Sequence, residues 1–262
     1  MKRSISPESV LSEGFVSSIR INRSRIAKPN AYPFSLPALK SLERIDLNPR
    51  ITFFIGENGS GKSTLVEAVA VAWGLNPEGG SRNFSFNTRA SHSCLSDCMT
   101  LVKSPYRPRD AFFFRAESYF NLATEIERLD KEPWGGPPII ASYGNVSLHE
   151  QSHGESFLAL LNKRFHGNGL YILDEPEAAL SPTRQMAMIT RIHQLIEEGC
   201  QFIIATHSPI LMGYPNALIY ELGSEGVRSI GYQETEHYAV TREFLNNTEG
   251  MLEILLKKQK RK

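Results

Sequence analysis

Hydrophobic and polar positions along the chain follow two different repeats. Short apolar or alternating runs predict β-strands, and they cover residues 15–21, 42–47, 51–55, 111–115, 170–173 and 202–205. Longer segments with apolar residues three and four positions apart predict helices, at 63–73, 117–130, 153–165, 182–198 and 241–256. Strands that alternate with helices are typical of α/β proteins with a largely parallel sheet.

A glycine-rich stretch follows the apolar strand 51–55. Residues 56–63 read Gly-Glu-Asn-Gly-Ser-Gly-Lys-Ser, the G-x-x-x-x-G-K-[ST] phosphate loop in its strand–loop–helix setting. Glycines allow β- and γ-phosphates to lie against backbone N–H groups, and a lysine and a helix N-terminus favour the anion. The pattern predicts a nucleoside triphosphate site made of Gly56, Glu57, Asn58, Gly59, Ser60, Gly61, Lys62, Ser63 and Thr64.

Two adjacent carboxylates end the apolar strand 170–173, at the sheet edge where a nucleotide would lie. Asp174 is expected to hold Mg²⁺ through the ion's coordination shell, whereas Ser63 ligates the ion directly. Glu175 is placed to polarise a water molecule for attack on the γ-phosphate. A solvated acidic turn is the alternative interpretation of this pair.

A histidine follows the buried strand 202–205. His207 stands 32 residues after Glu175, within the string Thr206-His207-Ser208-Pro209. At a strand end beside a phosphate site, its imidazole is expected to bond the γ-phosphate and the attacking water. An isolated histidine there would otherwise be a structural residue.

Together, the phosphate loop, the Leu-Asp-Glu-Pro string at 173–176 and the Thr-His-Ser-Pro string at 206–209 make the chain resemble ABC-type ATPases. The resemblance is to the SMC/RecF-like group, often labelled AAA-family predicted ATPases, and covers residues 15 to 220. It implies an α/β P-loop NTPase fold: a mixed sheet, an N-terminal antiparallel β subdomain and a small helical lid at about 80–145. It also implies a single domain over 1–256, ATP and Mg²⁺ as cofactors, and catalytic roles for Lys62, Glu175 and His207.

The resemblance places an ABC signature at Leu148 to Ser156. Ser152-His153-Gly154-Glu155 corresponds to the usual Ser-Gly-Gly-Gln, and Glu155 precedes Asp174 by 19 residues. In that family the signature of one subunit faces the phosphate loop of another, so Ser152, Gly154 and Glu155 are expected to contact the partner's nucleotide. This implies an ATP-dependent head-to-tail homodimer with two-fold symmetry.

Several departures from the family pattern leave parts of the site open. No glutamine precedes Gln151, so the usual glutamine loop is absent, and Glu117 is either its substitute or a surface carboxylate. His153 and Glu155 replace smaller or neutral signature residues. Tyr32 stands at a suitable distance upstream to stack on adenine, with plain packing as the alternative.

The lid should carry partner recognition, because the catalytic core is generic. Only 96 positions separate Gly56 from Ser152, without sustained heptads, so a coiled coil is not expected. Internal packing and salt bridges are the favoured interpretation of the lid's arginine and aromatic residues, and nucleic-acid contact is the alternative; these residues are Arg82, Phe84, Phe86, Arg89, Arg107, Arg109 and Arg115. His92, Cys94 and Cys98 lack the second ligand pair of a structural zinc site.

Composition and charge narrow the classes of protein to which the chain could belong. The tail 257–262 carries five positive charges, and without it the chain has 24 basic against 28 acidic residues, so the body has no basic footprint for DNA. The apolar runs are too short to span a bilayer, the start lacks a signal peptide pattern, and three cysteines do not suggest a disulfide framework. We therefore expect a cytoplasmic protein without membrane insertion.

The favoured interpretation is an ATP-hydrolysing dimer switch, with DNA repair or phage defence and a partner effector as roles that the resemblance suggests. One alternative is the ATPase subunit of a membrane transporter, although its glutamine loop and Ser-Gly-Gly-Gln are missing. The other alternative is a nucleotide-dependent scaffold that does not hydrolyse ATP.

Overall fold

Two β-sheets enclose the helix that follows the glycine-rich loop. The computed structural model describes residues 14–81, 93–131, 138, 140 and 153–256. The strands are β1 Val16–Ile21, β2 Arg44–Asp46, β3 Ile51–Ile55, β4 Met99–Lys103, β5 Asp110–Arg115, β6 Gly169–Asp174, β7 Gln201–Ala205, β8 Leu218–Gly223 and β9 Gly226–Ser229. The α-helices are α1 Pro37–Lys40, α2 Lys62–Trp73, α3 Tyr119–Lys131, α4 His153–Lys163, α5 Pro182–Glu197, α6 Pro209–Met212, α7 Glu236–Asn246 and α8 Thr248–Leu256.

The larger sheet has the strand order β5-β6-β7-β3-β8-β9. Its first five strands are parallel, and β9 returns antiparallel to β8 as a hairpin. The smaller sheet, β2-β1-β4, is antiparallel. In the larger sheet the carboxyl ends of β3, β6 and β7 therefore meet at one edge, which is where ligands bind in open parallel sheets.

The central strands are buried on both faces, which explains their continuous apolar runs. In β6, Tyr171 and Leu173 point into a core shared with α4 and α5, whereas Leu170 and Ile172 point into a second core shared with α2 and the smaller sheet. A one-residue slip of this strand would exchange the two sets and disrupt both cores.

Helix α2 is buried between the sheets and packs on β4 on one side and on β6 and β7 on the other. Its side chains from Leu65 to Ala70 are all buried, including the charged Glu67. A helix that is apolar almost all round must be enclosed in this way. Because α2 begins at Lys62, its burial also fixes the position of the phosphate loop.

A buried glutamine joins the two sheets. The side chain of Gln201, at the start of β7, accepts hydrogen bonds from the amides of Phe15 and Val16 at 2.8 and 2.9 Å. Its amide nitrogen donates to the carbonyls of Val16 and Asn48 at 2.8 and 2.9 Å. All of the polar capacity of this side chain is thus used inside the protein, as burial requires.

The predicted fold class, a mixed α/β sheet with an antiparallel N-terminal sheet, is confirmed. The strand at 51–55 has the expected bounds, and the helices at 63–73 and 182–198 differ from the observed ones by one residue. The predicted helix 241–256 is wrong in extent: α7 begins at Glu236, and Asn247 separates it from α8. Strands β4, β8 and β9 were not predicted, because each carries exposed or half-buried positions that weaken its pattern.

The predicted lid, residues 80–145, includes β4, β5 and α3 among its described residues. The lid residues Arg82, Phe84, Phe86, Arg89 and His92 lie outside the described residues, as does the basic tail 257–262. Within the described ranges, no helix has both the length and the apolar character needed to cross a membrane.

Candidate functional site

The phosphate loop connects β3 to α2 and owes its shape to glycine. Gly56 and Gly61 have φ angles of 140° and 101°, in the range that disfavours other residues. A Cβ atom on Gly56 would lie 2.3 Å from the carbonyl oxygen of Leu222 in β8. The loop can therefore lie against the sheet edge only with glycine at this position.

Lys62 is folded back onto its own loop. Its ammonium group donates hydrogen bonds to the carbonyls of Gly56 and Glu57 at 2.8 and 2.9 Å, and the side chain is only 4% exposed. Burial lowers the pKa of Lys62, while the carboxylates of Glu175 and Asp174 act in the opposite direction. A cation held at the mouth of a glycine loop can turn from these carbonyls to a bound phosphate.

The first predicted carboxylate, Asp174, is the last residue of β6 and is almost fully buried. Burial raises the pKa of Asp174 to about 7, although a hydrogen bond from Ser63 and the guanidinium of Arg115 oppose this shift. The Oδ1 atom of Asp174 has no hydrogen-bond partner. A buried carboxylate oxygen left unpaired next to a serine hydroxyl is a donor set that suits Mg²⁺.

Arg115 links this carboxylate to helix α2. Its guanidinium lies 2.6 Å from Glu67 and 3.3 Å from Glu117, and its Nε atom is 3.8 Å from Oδ2 of Asp174. Arg115, one of the lid arginines, thus takes part in internal salt bridges. The carboxylate of Glu117, the candidate substitute for the glutamine loop, is 81% exposed at the edge of the site.

Glu175 and His207 come together from two neighbouring strand ends. The amide of Glu175 donates to the carbonyl of Ala205 at 2.9 Å, and Glu175 adopts a left-handed conformation with a φ of 50°. Its Oε1 atom lies 3.5 Å from Nε2 of His207. Non-glycine residues adopt this conformation rarely, and such positions concentrate at functional sites.

The backbone of His207 is held by a second buried carboxylate, that of Glu177. The amide of His207 donates to Oε1 of Glu177 at 2.6 Å. Burial raises the pKa of Glu177, and its bonds with His207 and Thr206 oppose that shift. Glu177 was not among the sequence-predicted site residues, because the acidic pair before it accounted for the motif.

A further histidine reaches the site from the C-terminal helices. Nε2 of His237, in the first turn of α7, lies 3.2 Å from Nδ1 of His207. Lys62 lowers the pKa of both imidazoles through its charge, after burial as the larger cause. No spacing or motif in the sequence pointed to His237, since a polar residue near a helix start is ordinary.

The predicted signature lies only partly within the described residues. Ser152 is outside them, and of His153 only the backbone position at the start of α4 is described. Gly154 is buried, and a Cβ atom there would lie 2.6 Å from the carbonyl oxygen of Ala179. The carboxylate of Glu155 pairs with Arg184 at 3.2 Å.

A cavity connects the signature helix to the general-base candidate. Its lining residues include Gly154, Glu175, Ala179, Ser181 and Arg184. The segment 178–181, the predicted D-loop, thus lies between the start of α4 and Glu175. The structure brings Gly154 and Glu175 to the same cavity within one chain.

Tyr32 lies on the outer side of the phosphate loop. Its hydroxyl group is 2.6 Å from Oγ1 of Thr64, and the residue is 62% exposed. An exposed ring beside the first turn of α2 has room for a stacked base, and adenine stacking and plain packing both stay open for this residue.

Two family models match the sequence. Residues 34–104 match the model described as "AAA domain". Residues 141–213 match the model described as "AAA domain, putative AbiEii toxin, Type IV TA system". The first range contains the phosphate loop, and the second contains Asp174, Glu175 and His207. Both descriptions are of AAA domains, which supports the AAA-family part of the predicted resemblance.

Individual proteins show more distant similarity. A protein of Caldanaerobacter subterraneus subsp. tengcongensis, named "Putative ABC transporter ATP-binding protein", is 25% identical over 205 residues, covering 68% of this chain and 79% of that protein. Among solved structures, a metal-chelate type ABC transporter in an inward-facing conformation shares 14% identity at a TM-score of 0.49, with 87% of this chain and 88% of that chain covered. The SMC head domain from Thermotoga maritima shares 17% identity at a TM-score of 0.37, with 71% and 92% covered.

Proposed function

We propose that this chain, which matches two AAA-domain models, is an ABC/SMC-like P-loop ATPase that hydrolyses ATP and uses the nucleotide to gate the association of two copies. The observation that carries the proposal is the 3.5 Å approach of Glu175 and His207, next to the loop that holds Lys62. A carboxylate and an imidazole at the mouth of a phosphate loop are suited to positioning water against a terminal phosphate.

Each residue has a defined role in this proposal. Lys62 and the loop amides bind the phosphates, and Glu175 orients the attacking water and accepts its proton. His207 donates from Nε2 to a γ-phosphate oxygen, where negative charge builds up. The carboxylate of Glu177 holds His207 in place through the 2.6 Å hydrogen bond that it accepts from the backbone amide of His207.

Mg²⁺ would be held by Ser63 and Asp174, which fit it because the unpaired Oδ1 of Asp174 is buried beside the serine hydroxyl. When bound, the ion would neutralise charge on the β- and γ-phosphate oxygens. Arg115 keeps its cation 3.8 Å from Oδ2 of Asp174 and so helps to hold the carboxylate in position.

In the second part of the proposal, the signature residues Ser152, Gly154 and Glu155 contact the nucleotide of a partner copy. The cavity between the start of α4 and Glu175 supports this, because it leaves the general-base side of the site open. A second copy would close that opening and shield the reacting phosphate and its attacking water from bulk solvent. The partner effector and the role in DNA repair or phage defence belong to the same proposal.

The first test of this function is phosphate release from Mg-ATP by the wild-type protein, with Glu175→Gln as the inactive comparison. Light scattering of Glu175→Gln with and without ATP then tests association. Hydrolysis measured with and without DNA ends tests the nucleic-acid part of the proposal. Activity that is unchanged by Glu175→Gln would contradict the catalytic assignment.

A transporter ATPase subunit is the second candidate, and one observation favours it: the Caldanaerobacter relative is named as an ABC transporter ATP-binding protein. Such a subunit requires a separate membrane protein as its partner. Affinity capture of a tagged chain in its native host would recover a polytopic membrane protein in this case. Recovery of a soluble effector would favour the first candidate.

A further inference from the structure

The C-terminal helix α7 contributes a side chain to the candidate ATPase site. His237 is half-buried, and its Nε2 atom is within hydrogen-bond distance of His207 Nδ1, at 3.2 Å. The other ring nitrogen of His207, Nε2, faces Glu175. His207 thus lies between the general-base candidate and a second imidazole.

The position of His237 is set by ordered contacts around the start of α7. Thr235 is fully buried, and its hydroxyl oxygen caps the helix by accepting from the amide of Tyr238 at 3.3 Å. The hydroxyl of Tyr232 donates to the carbonyl of Pro209 at 2.9 Å, two residues beyond His207. These contacts hold α7 against the segment that carries His207.

The hydrogen-bond pattern assigns the protons of the imidazole pair. An ionised Glu175 can accept hydrogen bonds but cannot donate them, so a proton on Nε2 of neutral His207 gives the favourable arrangement. Nδ1 of His207 is then an acceptor, and His237 must donate from its Nε2. This leaves His237 Nδ1 as a bare nitrogen. Both that atom and Nε2 of His207 are buried without a hydrogen-bond partner, and the proton belongs on Nε2 of His207 because this atom faces a carboxylate oxygen 3.5 Å away.

Charges around the pair favour neutral rings. Burial and the charge of Lys62 lower the pKa of His207, and His237 lowers it further, against the influence of Glu175. Burial and Lys62 also lower the pKa of His237, against Glu236 on its own helix and Glu221 on β8. A neutral ring has one donor and one acceptor nitrogen, so the partner of one nitrogen determines the state of the other.

We propose that His237 is a positioning residue for ATP hydrolysis: by donating to Nδ1 of His207, it holds that ring in the Nε2–H form, aimed at Glu175 and the γ-phosphate. This inference rests on the proposed function of the site. Hydrogen-bond partners of functional imidazoles fix the tautomer and the ring orientation in the same way in metal sites.

The first experiment determines the tautomer directly and needs no activity. Long-range ¹H–¹⁵N spectra of histidine-labelled protein are recorded at pH 8, and the His207 signals are assigned with His207→Gln. We expect Nε2–H in the wild type and a mixture of both tautomers in His237→Leu. An Nδ1–H form in the wild type, or an unchanged His207 spectrum in His237→Leu, overturns the proposal.

The second experiment separates positioning from folding. His237→Leu is expected to lower kcat for ATP about 10–100-fold with little change in KM. His237→Gln, which keeps an amide donor, should recover part of that loss. If Gln and Leu reduce kcat equally, or if KM alone changes, a positioning role is wrong.

His193 provides the matched control, since it bonds Tyr214 at 3.0 Å on the outer helix α5, outside the site. His193→Leu should leave both the His207 spectrum and kcat unchanged, and thermal unfolding reports whether each variant is folded. Absence of hydrolysis in the wild type would refute the proposed function, whereas the spectra would still decide the pairing of His207 with His237.

Discussion

Oε1 of Glu175 and Nε2 of His207 lie 3.5 Å apart, although the two residues follow different strands. The distance results from the parallel pairing of β6 with β7, in which Asp174 lies opposite Ala205. Glu175 lies one position beyond Asp174, and His207 lies two positions beyond Ala205, so both reach the same edge of the sheet. The chemistry proposed for the site is therefore a consequence of strand register.

Replacing Glu175 with Gln should stop hydrolysis while preserving ATP binding. The amide cannot accept a proton from water, and general-base catalysis typically contributes about 10²–10⁴-fold to a rate. We expect phosphate release to fall by that factor, with the ATP dissociation constant changed only a few-fold. Glu249→Gln, an exposed carboxylate on α8, is the matched control. A Glu175→Gln protein that hydrolyses ATP at the wild-type rate would exclude Glu175 as the base.

Replacing Lys62 with Met should weaken ATP binding. Met fills a similar volume but has no ammonium group. It can neither donate to the carbonyls of Gly56 and Glu57, as Lys62 does, nor pair with a phosphate. A hydrogen bond between charged groups contributes about 1.5–3 kcal/mol, so the affinity should fall on the order of 10–100-fold by calorimetry. Lys163→Met, at the exposed end of α4, should bind ATP normally. Equal affinities in both variants would show that Lys62 does not bind phosphate.

The buried part of the fold was predictable because its strands are apolar on both faces. Strand β6 could be recognised from Leu170 to Leu173 alone, since no polar residue interrupts it. Strand β8 could not, because half-exposed residues such as Tyr220 and Glu221 resemble a loop until β3 pairs with them. Half-exposed strands depend on tertiary pairing more than on their own pattern.

The candidate site was predictable to the extent that its residues stand next to strand ends. Phosphate binding requires Lys62 at a fixed offset from glycines, and this leaves a recognisable string. His237 has no such constraint: it lies 30 positions from His207 and reaches it only because α7 packs against α6. Contacts that depend on helix packing leave no local signature in a single sequence.

In the metal-free protein, Asp174 should contribute a loss of stability as pH rises. The folded-state pKa of Asp174 is about 7 against an ordinary value of 3.8, because burial disfavours the carboxylate. Between pH 3.8 and about pH 7, the native state therefore keeps a proton that the unfolded chain has released. The contribution is fully present below about pH 4 and is lost as pH rises through 7, on the order of 2–4 kcal/mol.

Thermal unfolding in EDTA, compared between the wild type and Asp174→Asn, measures this contribution. The variant should gain stability relative to the wild type between pH 5 and pH 8. Mg²⁺ should stabilise the wild type at pH 8 and have little effect on Asp174→Asn, since the ligand oxygen is lost. A pH profile that is parallel in both proteins would contradict the buried-carboxylate explanation.

Replacing Gly154 with Ala should prevent ATP-dependent association. The added Cβ would lie 2.6 Å from the carbonyl oxygen of Ala179, closer than real Cβ atoms approach backbone, so α4 and the segment 178–181 must separate. Both border the cavity that the proposed partner copy covers. Light scattering of Glu175→Gln with ATP should show a dimer, and adding Gly154→Ala should leave a monomer that still binds ATP. Gly223→Ala is the matched control, because a Cβ there has no neighbour within 4 Å. A Glu175→Gln protein that remains monomeric at saturating ATP would refute the shared site, and a dimer that survives Gly154→Ala would show that the signature helix does not form it.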